Sequence, residues 1–246
     1  MKINKFVFKR HEIKYRLTPE QYAIVLREID KYLYVDEYGE TTIQSLYYDT
    51  DTWLLIRNSI EKPAYKEKIR ARSYGLATPE TKVFLELKKK LNKIVYKRRI
   101  KIKEKELAPL IRMGVGGDKG QIEREIVYFC RFYKNLKPAM LLLYDRTAHI
   151  DKNSDLRVTF DRNIRYRTER LSLCSGLDGK LILPEGEVMM EIKTAGAYPM
   201  WLVKLLNDNG IYKTSFSKYG TAYKMEILGI SENDNHKNTA TEVKAV

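Results

Sequence analysis

The stretch Tyr65-Lys66-Glu67-Lys68-Ile69-Arg70-Ala71-Arg72-Ser73-Tyr74-Gly75 places a cation at every second residue from Lys66 to Arg72. Successive side chains of an extended chain point to opposite faces, so Lys66, Lys68, Arg70 and Arg72 stand in one row on one side of a strand. Four cations in line repel one another. An exposed edge strand guarded by lysines is one account of the row; a surface built to hold an anion is the other.

Neighbouring segments repeat the pattern. Val83, Leu85 and Leu87 alternate with Glu86, Lys88 and Lys90, and Lys97, Arg99 and Lys101 share one parity of the following segment. Arg157, Thr159 and Asp161 alternate with Leu156, Val158 and Phe160, and Glu187, Met189, Glu191 and Lys193 alternate with Val188, Met190 and Ile192. One such strand is an edge, whereas five make a charged surface.

The chain has 246 residues, 43% of them hydrophobic, enough for an ordinary core in a single folded domain. Its formal net charge of +14 points to a polyanionic partner: nucleic acid, an anionic membrane surface or a phosphate-rich small molecule. Two cysteines, Cys130 and Cys174, supply neither a disulfide framework nor a zinc site. The first ten residues lack the apolar run of a signal peptide, and no segment reaches the ~18 apolar residues of a membrane span. The expectation is a cytoplasmic protein with no membrane span in this chain; a membrane partner is left open.

Thr18-Pro19-Glu20 supplies an N-cap, a proline at the first helical position and an early acid, which predicts a helix to about residue 32 after a strand over 5–17. Asp49-Thr50-Asp51-Thr52 is a cap for a short helix to residue 60, following a strand over 41–48. Strands dominate 62–102, with Leu91-Asn92-Lys93 as a tight connection. Helices are expected over 103–113, 121–133, 199–209 and 217–229, and strands over 138–150, 156–162, 164–170 and 187–194. The glycine-rich break 114–120 matches no phosphate-binding loop and reads as a linker. Residues 231–246, polar and almost free of large apolar groups, read as a disordered tail after a domain spanning 1–230.

Strands with one charged and one apolar face either meet in a sandwich with charge outside or close with charge inside. Amphipathic helices near 19–32, 51–60 and 121–133 need an apolar surface, which favours the second. The expected fold is therefore α+β: a closed antiparallel β-barrel with a charged interior and helices packed outside. Such an interior would be a tunnel for a polyanion.

The motifs Arg10-x-Glu12-x-Lys14-Tyr15, Ser45-Leu46-Tyr47-Tyr48-Asp49-Thr50, Arg70-x-Arg72-x-Tyr74-Gly75 and Leu85-Glu86-x-Lys88 are followed by Tyr144-Asp145-Arg146-Thr147-Ala148 and Arg157-Val158-Thr159-Phe160-Asp161. Met190-Glu191-Ile192-Lys193 and Phe216-Ser217-Lys218-Tyr219 complete the series. In this order they resemble the VTC domain, the catalytic domain of polyphosphate polymerases within the triphosphate tunnel metalloenzymes. The resemblance implies transfer of the terminal phosphate of ATP onto a growing polyphosphate chain, with Mn²⁺ or Mg²⁺ as cofactor. It implies phosphate binding by Lys14, Arg70, Arg72, Lys88, Arg146, Arg157, Lys193 and Lys218, with Arg70, Arg72, Lys193 and Lys218 as the catalytic set and Glu191 as metal ligand. Strand parity adds Lys97 and Arg99, and Ser217 stands beside Lys218 as a second donor. The hydrolytic branches of that superfamily tend to begin Glu-x-Glu-x-Lys. Arg10 in the first place removes a metal ligand and argues against simple triphosphate hydrolysis.

Phosphoryl transfer is catalysed mainly by alignment and by neutralising charge on non-bridging oxygens, for which Arg forks and Lys point charges are suited. A phosphate oxygen attacking in polymerisation is already ionised and needs no general base. Hydrolysis would need a positioned water, with Glu12 or Glu86 as first candidates; the plainer role of both is to keep cations apart. His11 lies on the parity opposite Glu12, and Tyr47, Tyr48 and Tyr144 read as core or wall residues, or as a platform for a nucleotide base. The competing functions are a tunnel phosphatase acting on inorganic triphosphate or nucleoside triphosphates, and a polyphosphate-binding module without turnover. Nucleic-acid binding driven by the +14 charge predicts outward cations and exposed aromatic platforms, so no specific nucleic acid is expected.

Overall fold

The computed structural model describes residues 11–92, 94–114, 116–117 and 120–230. Arg10, the start of the first expected strand, part of the 114–120 break and the expected tail over 231–246 lie outside the described residues.

The chain order is β1 (His11–Leu17), α1 (Pro19–Ile29), β2 (Tyr34–Val35), β3 (Thr41–Asp49), α2 (Leu54–Ile60), β4 (Tyr65–Tyr74), β5 (Lys82–Leu91) and β6 (Ile94–Lys103). A 3-10 turn at Glu104–Glu106 leads into α3 (Leu107–Met113), then α4 (Gln121–Phe132), β7 (Lys137–Ile150), β8 (Arg157–Arg167) and β9 (Lys180–Leu181). The series ends with β10 (Val188–Thr194), α5 (Met200–Asp208), β11 (Lys213–Thr214) and α6 (Lys218–Ile227). The hydrogen-bonded order is β11-β1-β10-β8-β7-β3-β4-β5-β6, with β2 added to β7 and β9 to β8.

This order has two ends, and among the described residues no ladder joins β6 to β11. The antiparallel, sheet-rich α+β class expected from the sequence is present, whereas closure into a barrel is not among its ladders; β11, at one end, is two residues long. The strands expected separately over 156–162 and 164–170 are one strand, β8, because Asn163 takes a left-handed conformation (φ 48°) inside it rather than ending it. No helix among the described residues is long and apolar enough to cross a membrane.

Two compact units divide the described residues, one lying within 1–41, 144–163 and 183–216, the other within 42–143, 164–182 and 217–246. In the first, Val25 and Ile29 of α1 and Leu202, Leu205 and Leu206 of α5 pack with Tyr15 and Leu17 of β1, Val158 and Phe160 of β8, and Met190 and Ile192 of β10. In the second, α3 and α4 bring Leu110, Ile111, Ile126 and Phe129 to Ile69 and Ala71 of β4, Val83, Leu85 and Leu87 of β5, and Ile102 of β6. Full burial of side chains such as Leu85 and Leu87 contributes about 1.5–3 kcal/mol each. In each unit helices cover the apolar parity of the strands, and the charged parity is turned away from them.

Local signals place the helices. Thr18 caps α1 through its hydroxyl, which accepts from the Gln21 N–H, while the Gln21 side chain accepts from the Thr18 N–H. Helix α2 starts at Leu54, later than expected, because Asp49 and Thr50 reach forward to cap it. The Asp49 carboxylate accepts from the Leu55 and Ile56 N–H groups and from the Tyr219 hydroxyl, at 2.9, 3.0 and 2.9 Å. Asp49 is fully buried and also accepts from the Thr50 N–H at 2.9 Å, so Asp49→Ala removes the acceptor of four donors. An expected loss of about 2–4 kcal/mol is measurable by denaturant titration.

Candidate functional site

The unit containing β3 to β6 carries a cationic face set by register. Tyr47, Arg70, Glu86 and Arg99 lie in one cross-strand row; Ser45, Arg72, Phe84 and Lys101 form the row on one side, and Lys68, Lys88 and Lys97 the row on the other. On this parity of β4, β5 and β6 the only acidic residue is Glu86. It is 2% exposed and holds three cations. Its Oε2 accepts from Arg70 Nε at 2.9 Å, and its Oε1 takes Arg99 Nε at 2.8 Å and Lys97 Nζ at 2.8 Å. Burial would push the Glu86 carboxyl up, but Arg70, Arg72 and Lys97 overturn this and hold it well below the usual carboxylate range. Glu86 is therefore ionised throughout the neutral range. That makes it a counter-ion that spaces the guanidinium groups, and a poor general base.

Tyr47 extends the row. Its hydroxyl accepts from Arg70 Nη1 at 2.9 Å, and its ring stacks on Tyr219 with centroids 4.3 Å apart. Tyr219 is on α6, so this stack brings the start of that helix to the cationic row, with Lys68 Nζ 5.8 Å from the Tyr219 ring centroid. Ser217 caps α6, its hydroxyl accepting from the Gly220 N–H at 3.2 Å, and Lys218 is the first helical residue. Burial would raise the Tyr47 phenol, but Arg70, Lys68 and Arg72 outweigh it and bring it down to about 8. Ultraviolet difference titration is expected to show one phenol ionising near pH 8 that Tyr47→Phe removes.

The other unit holds a mixed cluster. Register sets Lys14 beside Glu191 and Glu191 beside Thr159, and sets Glu12 beside Lys193 and Lys193 beside Arg157. Lys193 Nζ lies 2.6 Å from Glu191 Oε1 and 3.5 Å from Glu12 Oε2, and Lys14 Nζ lies 3.9 Å from Glu12 Oε1 and 4.0 Å from Glu191 Oε2. Lys14 also donates to the Phe216 carbonyl at 3.0 Å. Burial pushes the Glu191 carboxyl up, and Lys193, a hydrogen bond with Glu12 and the Lys14 charge reverse this, down to about 2.

Two further expected residues of this unit are tied to carboxylates. Arg146 makes a two-pronged contact with buried Asp161, Nε to Oδ1 at 2.6 Å and Nη2 to Oδ2 at 2.8 Å, and its guanidinium lies 5.1 Å from the Tyr144 ring centroid. Arg157 donates from Nη2 to Asp36 Oδ2 at 2.7 Å. Cations and carboxylates thus balance here far more than on β4 to β6.

Of the expected residues, Arg70, Arg72, Lys88, Lys97 and Arg99 share one face, with Ser217 and Lys218 at the start of α6. Lys14, Glu191 and Lys193 form the second cluster, with Arg157 on β8 beside Lys193 and Arg146 on the adjoining β7. Sequence reasoning left Lys101 out of the binding set although it has the parity of Lys97 and Arg99. It gave no hint of the partners Asp36 and Asp161, which need the cross-strand register. His11 is exposed, although it has the parity of Tyr15 and Leu17, which are buried.

Among the described residues no group of three or more His, Cys, Asp or Glu side chains could cage a metal ion. Glu191 and Glu12 offer hard carboxylate oxygens in one cluster, a donor type suited to Mg²⁺ or Mn²⁺. The residues fit such an ion only where phosphate oxygens and water complete its shell.

A family model, the VTC domain, matches residues 9–227. No curated protein sequence matches the chain. Among solved structures, a candidate adenylate cyclase from Bacillus halodurans is similar at 11% identity and a TM-score of 0.51, over 86% of this chain and 94% of that one. A candidate adenylyl cyclase from Hippeastrum, described as having a dominant triphosphatase activity, is 16% identical with a TM-score of 0.49, over 85% of this chain and 92% of that one. The first likeness is one of fold.

Proposed function

Because this chain belongs to the VTC domain family, whose model matches residues 9–227, we propose that it is an ATP-dependent polyphosphate polymerase. In this proposal residues 1–230 are the catalytic domain, its sheet closing into the family's tunnel barrel, and 231–246 are a tail. ATP and inorganic polyphosphate are its ligands, and the cytoplasm is its location. The observation that carries the proposal is the face of β4, β5 and β6, where Glu86 is the only acid among the charged residues.

Arg70 and Arg99 present planar donor forks whose spacing Glu86 fixes. Such forks grip two phosphate oxygens at once, while Lys88, Lys97 and Lys218 add point charges along the phosphate chain. Arg72, held by Ser45 Oγ at 3.5 Å, faces the same way. In the other unit Lys14 and Lys193 bind phosphate oxygens and keep Glu191 ionised, with Arg146 and Arg157 as further phosphate ligands. Glu191 would hold the divalent ion, with Glu12 beside it. When bound, that ion neutralises charge on the transferring phosphate. The attacking terminal oxygen of polyphosphate is already an anion, so no side chain needs to remove a proton from it. This agrees with the depressed Glu86 carboxyl, which is unsuited to activating water.

The test is incubation with ATP and Mn²⁺ or Mg²⁺, with and without a short polyphosphate primer, and staining of the products on a gel. Chains are expected with the wild type and not with Arg70→Ala. Orthophosphate alone would make the protein a phosphatase, and the absence of turnover with either ion would make it a binding module.

A further inference from the structure

The end of the β5–β6 hairpin exposes a group of apolar side chains on one face and Val95 on the other. Register sets Tyr65, Leu91 and Ile94 in one row and Glu67, Lys89 and Tyr96 in the next. These rows have the parity of Ile69 and Leu87, which are packed in the core with α3 and α4. At the hairpin end the same parity is open: Tyr65 is 46% exposed, Leu91 46%, Ile94 60% and Tyr96 42%. Val95, of the opposite parity and paired with Lys90, is 48% exposed.

The apolar surface continues onto α4. Exposed Tyr128 and Phe132 stack, and Phe132 meets Tyr133 edge-on with centroids 4.9 Å apart. The Tyr133 hydroxyl donates to Glu67 Oε2 at 2.9 Å, and Lys89 Nζ lies 3.3 Å from Glu67 Oε1. Lysines border this surface. Register sets Lys66 beside Lys90 and Lys90 beside Val95, and burial, with the charges of Lys90, Lys62 and Lys88, lowers the affinity of Lys66 for a proton.

We propose that this hairpin end docks on an anionic bilayer, with Leu91, Ile94, Val95 and Tyr96 entering the acyl boundary and Lys62, Lys66 and Lys90 meeting the headgroups. A flat protein partner covers one face of a hairpin, and Ile94 and Val95 point to opposite faces. An interfacial layer surrounds both. Lysine stems lie along apolar surface while their ammonium groups reach outward, the arrangement that a headgroup layer receives. A second copy pairing through β6 would set Lys97, Arg98, Arg99 and Lys101 against their own equivalents, and like charges opposed across a ladder are destabilising. The proposal is independent of the polymerase activity, since its residues are not among the phosphate-binding residues named above.

The test is co-sedimentation of the full chain with phosphatidylcholine vesicles, either pure or with about one-third phosphatidylglycerol. The comparison is a triple variant, Leu91→Ser, Ile94→Ser and Val95→Ser, which keeps every charge and alters only exposed side chains. Wild type is expected to bind the phosphatidylglycerol vesicles and to leave pure phosphatidylcholine vesicles in the supernatant. The triple variant is expected to bind about tenfold more weakly while retaining polyphosphate binding. In a separate Ile94→Trp variant, added tryptophan emission is expected to shift to the blue on vesicles and to be quenched by brominated lipid. Equal binding by wild type and triple variant, with no blue shift, would make the attraction purely electrostatic and overturn the proposal. So would failure to bind either vesicle, or a wild-type dimer that the triple substitution converts to monomer.

Discussion

Glu86→Ala is expected to destabilise the protein by about 3–5 kcal/mol, the scale for removing one partner of a buried ionic network, and to abolish turnover. The carboxylate is 2% exposed and contacts Arg70, Arg99 and Lys97. Its loss takes the shared carboxylate away from three cations that face one another, on a face that already bears Lys68, Lys88 and Lys101 at neighbouring register positions. Glu86→Gln tests the same point more gently. It preserves the side chain's shape and one acceptor oxygen but not the charge, so the guanidinium groups lose their spacing with less disturbance of packing. A polyanion supplies the missing charge. Added polyphosphate is therefore expected to restore more stability to Glu86→Gln than to the wild type, seen as a larger rise in melting temperature. An unchanged melting temperature in Glu86→Gln without ligand would show that Glu86 does not hold these cations together.

The second large effect is at Glu191. Glu191→Gln is expected to lower metal-dependent turnover by about two to three orders of magnitude, the scale of several kcal/mol of lost charge neutralisation, while polyphosphate binding persists through the cations. Glu191 also contributes a pH dependence. Its carboxyl falls from an ordinary 4.5 to about 2 in the folded protein. A group with a depressed folded-state pKa contributes stability that is present above the unfolded value and is lost as pH falls through the folded value. Wild type is thus expected to lose stability progressively between about pH 4.5 and about pH 2. Glu191→Gln is expected to show a shallower acid limb over that interval in denaturant titrations at a series of pH values. Superimposable acid limbs would mean that Lys14 and Lys193 do not hold Glu191 ionised.

Strand parity made much of this legible. The alternation through Lys66, Lys68, Arg70 and Arg72 separates the cationic face from Ile69 and Ala71, and the structure buries the latter pair in a helix-covered core. The Thr18-Pro19 signal places the start of α1, because a cap is a local interaction within a few residues. Closure of the sheet, expected from the charged and apolar faces, is not among the ladders of the described residues; parity sets which face is charged and not which distant strands pair. The ion pairs Arg157–Asp36 and Arg146–Asp161 were hidden for the same reason: the first joins residues 121 positions apart, and the second needs the β7 and β8 side chains in place. Nor does parity tell a base from a counter-ion. Glu86 became a counter-ion once three cations were found on its two oxygens. Tyr47 and Tyr48 are adjacent and equally apolar, yet Tyr48 joins the core while Tyr47 bonds Arg70, a division set by β3 register rather than by residue type.

The most direct measurement follows ATP labelled at its terminal phosphate, incubated with the wild-type protein, Mn²⁺ and a short polyphosphate primer. The account predicts label in polyphosphate chains longer than the primer, with ADP released in step. Label recovered only as orthophosphate, with the primer unextended, would contradict it.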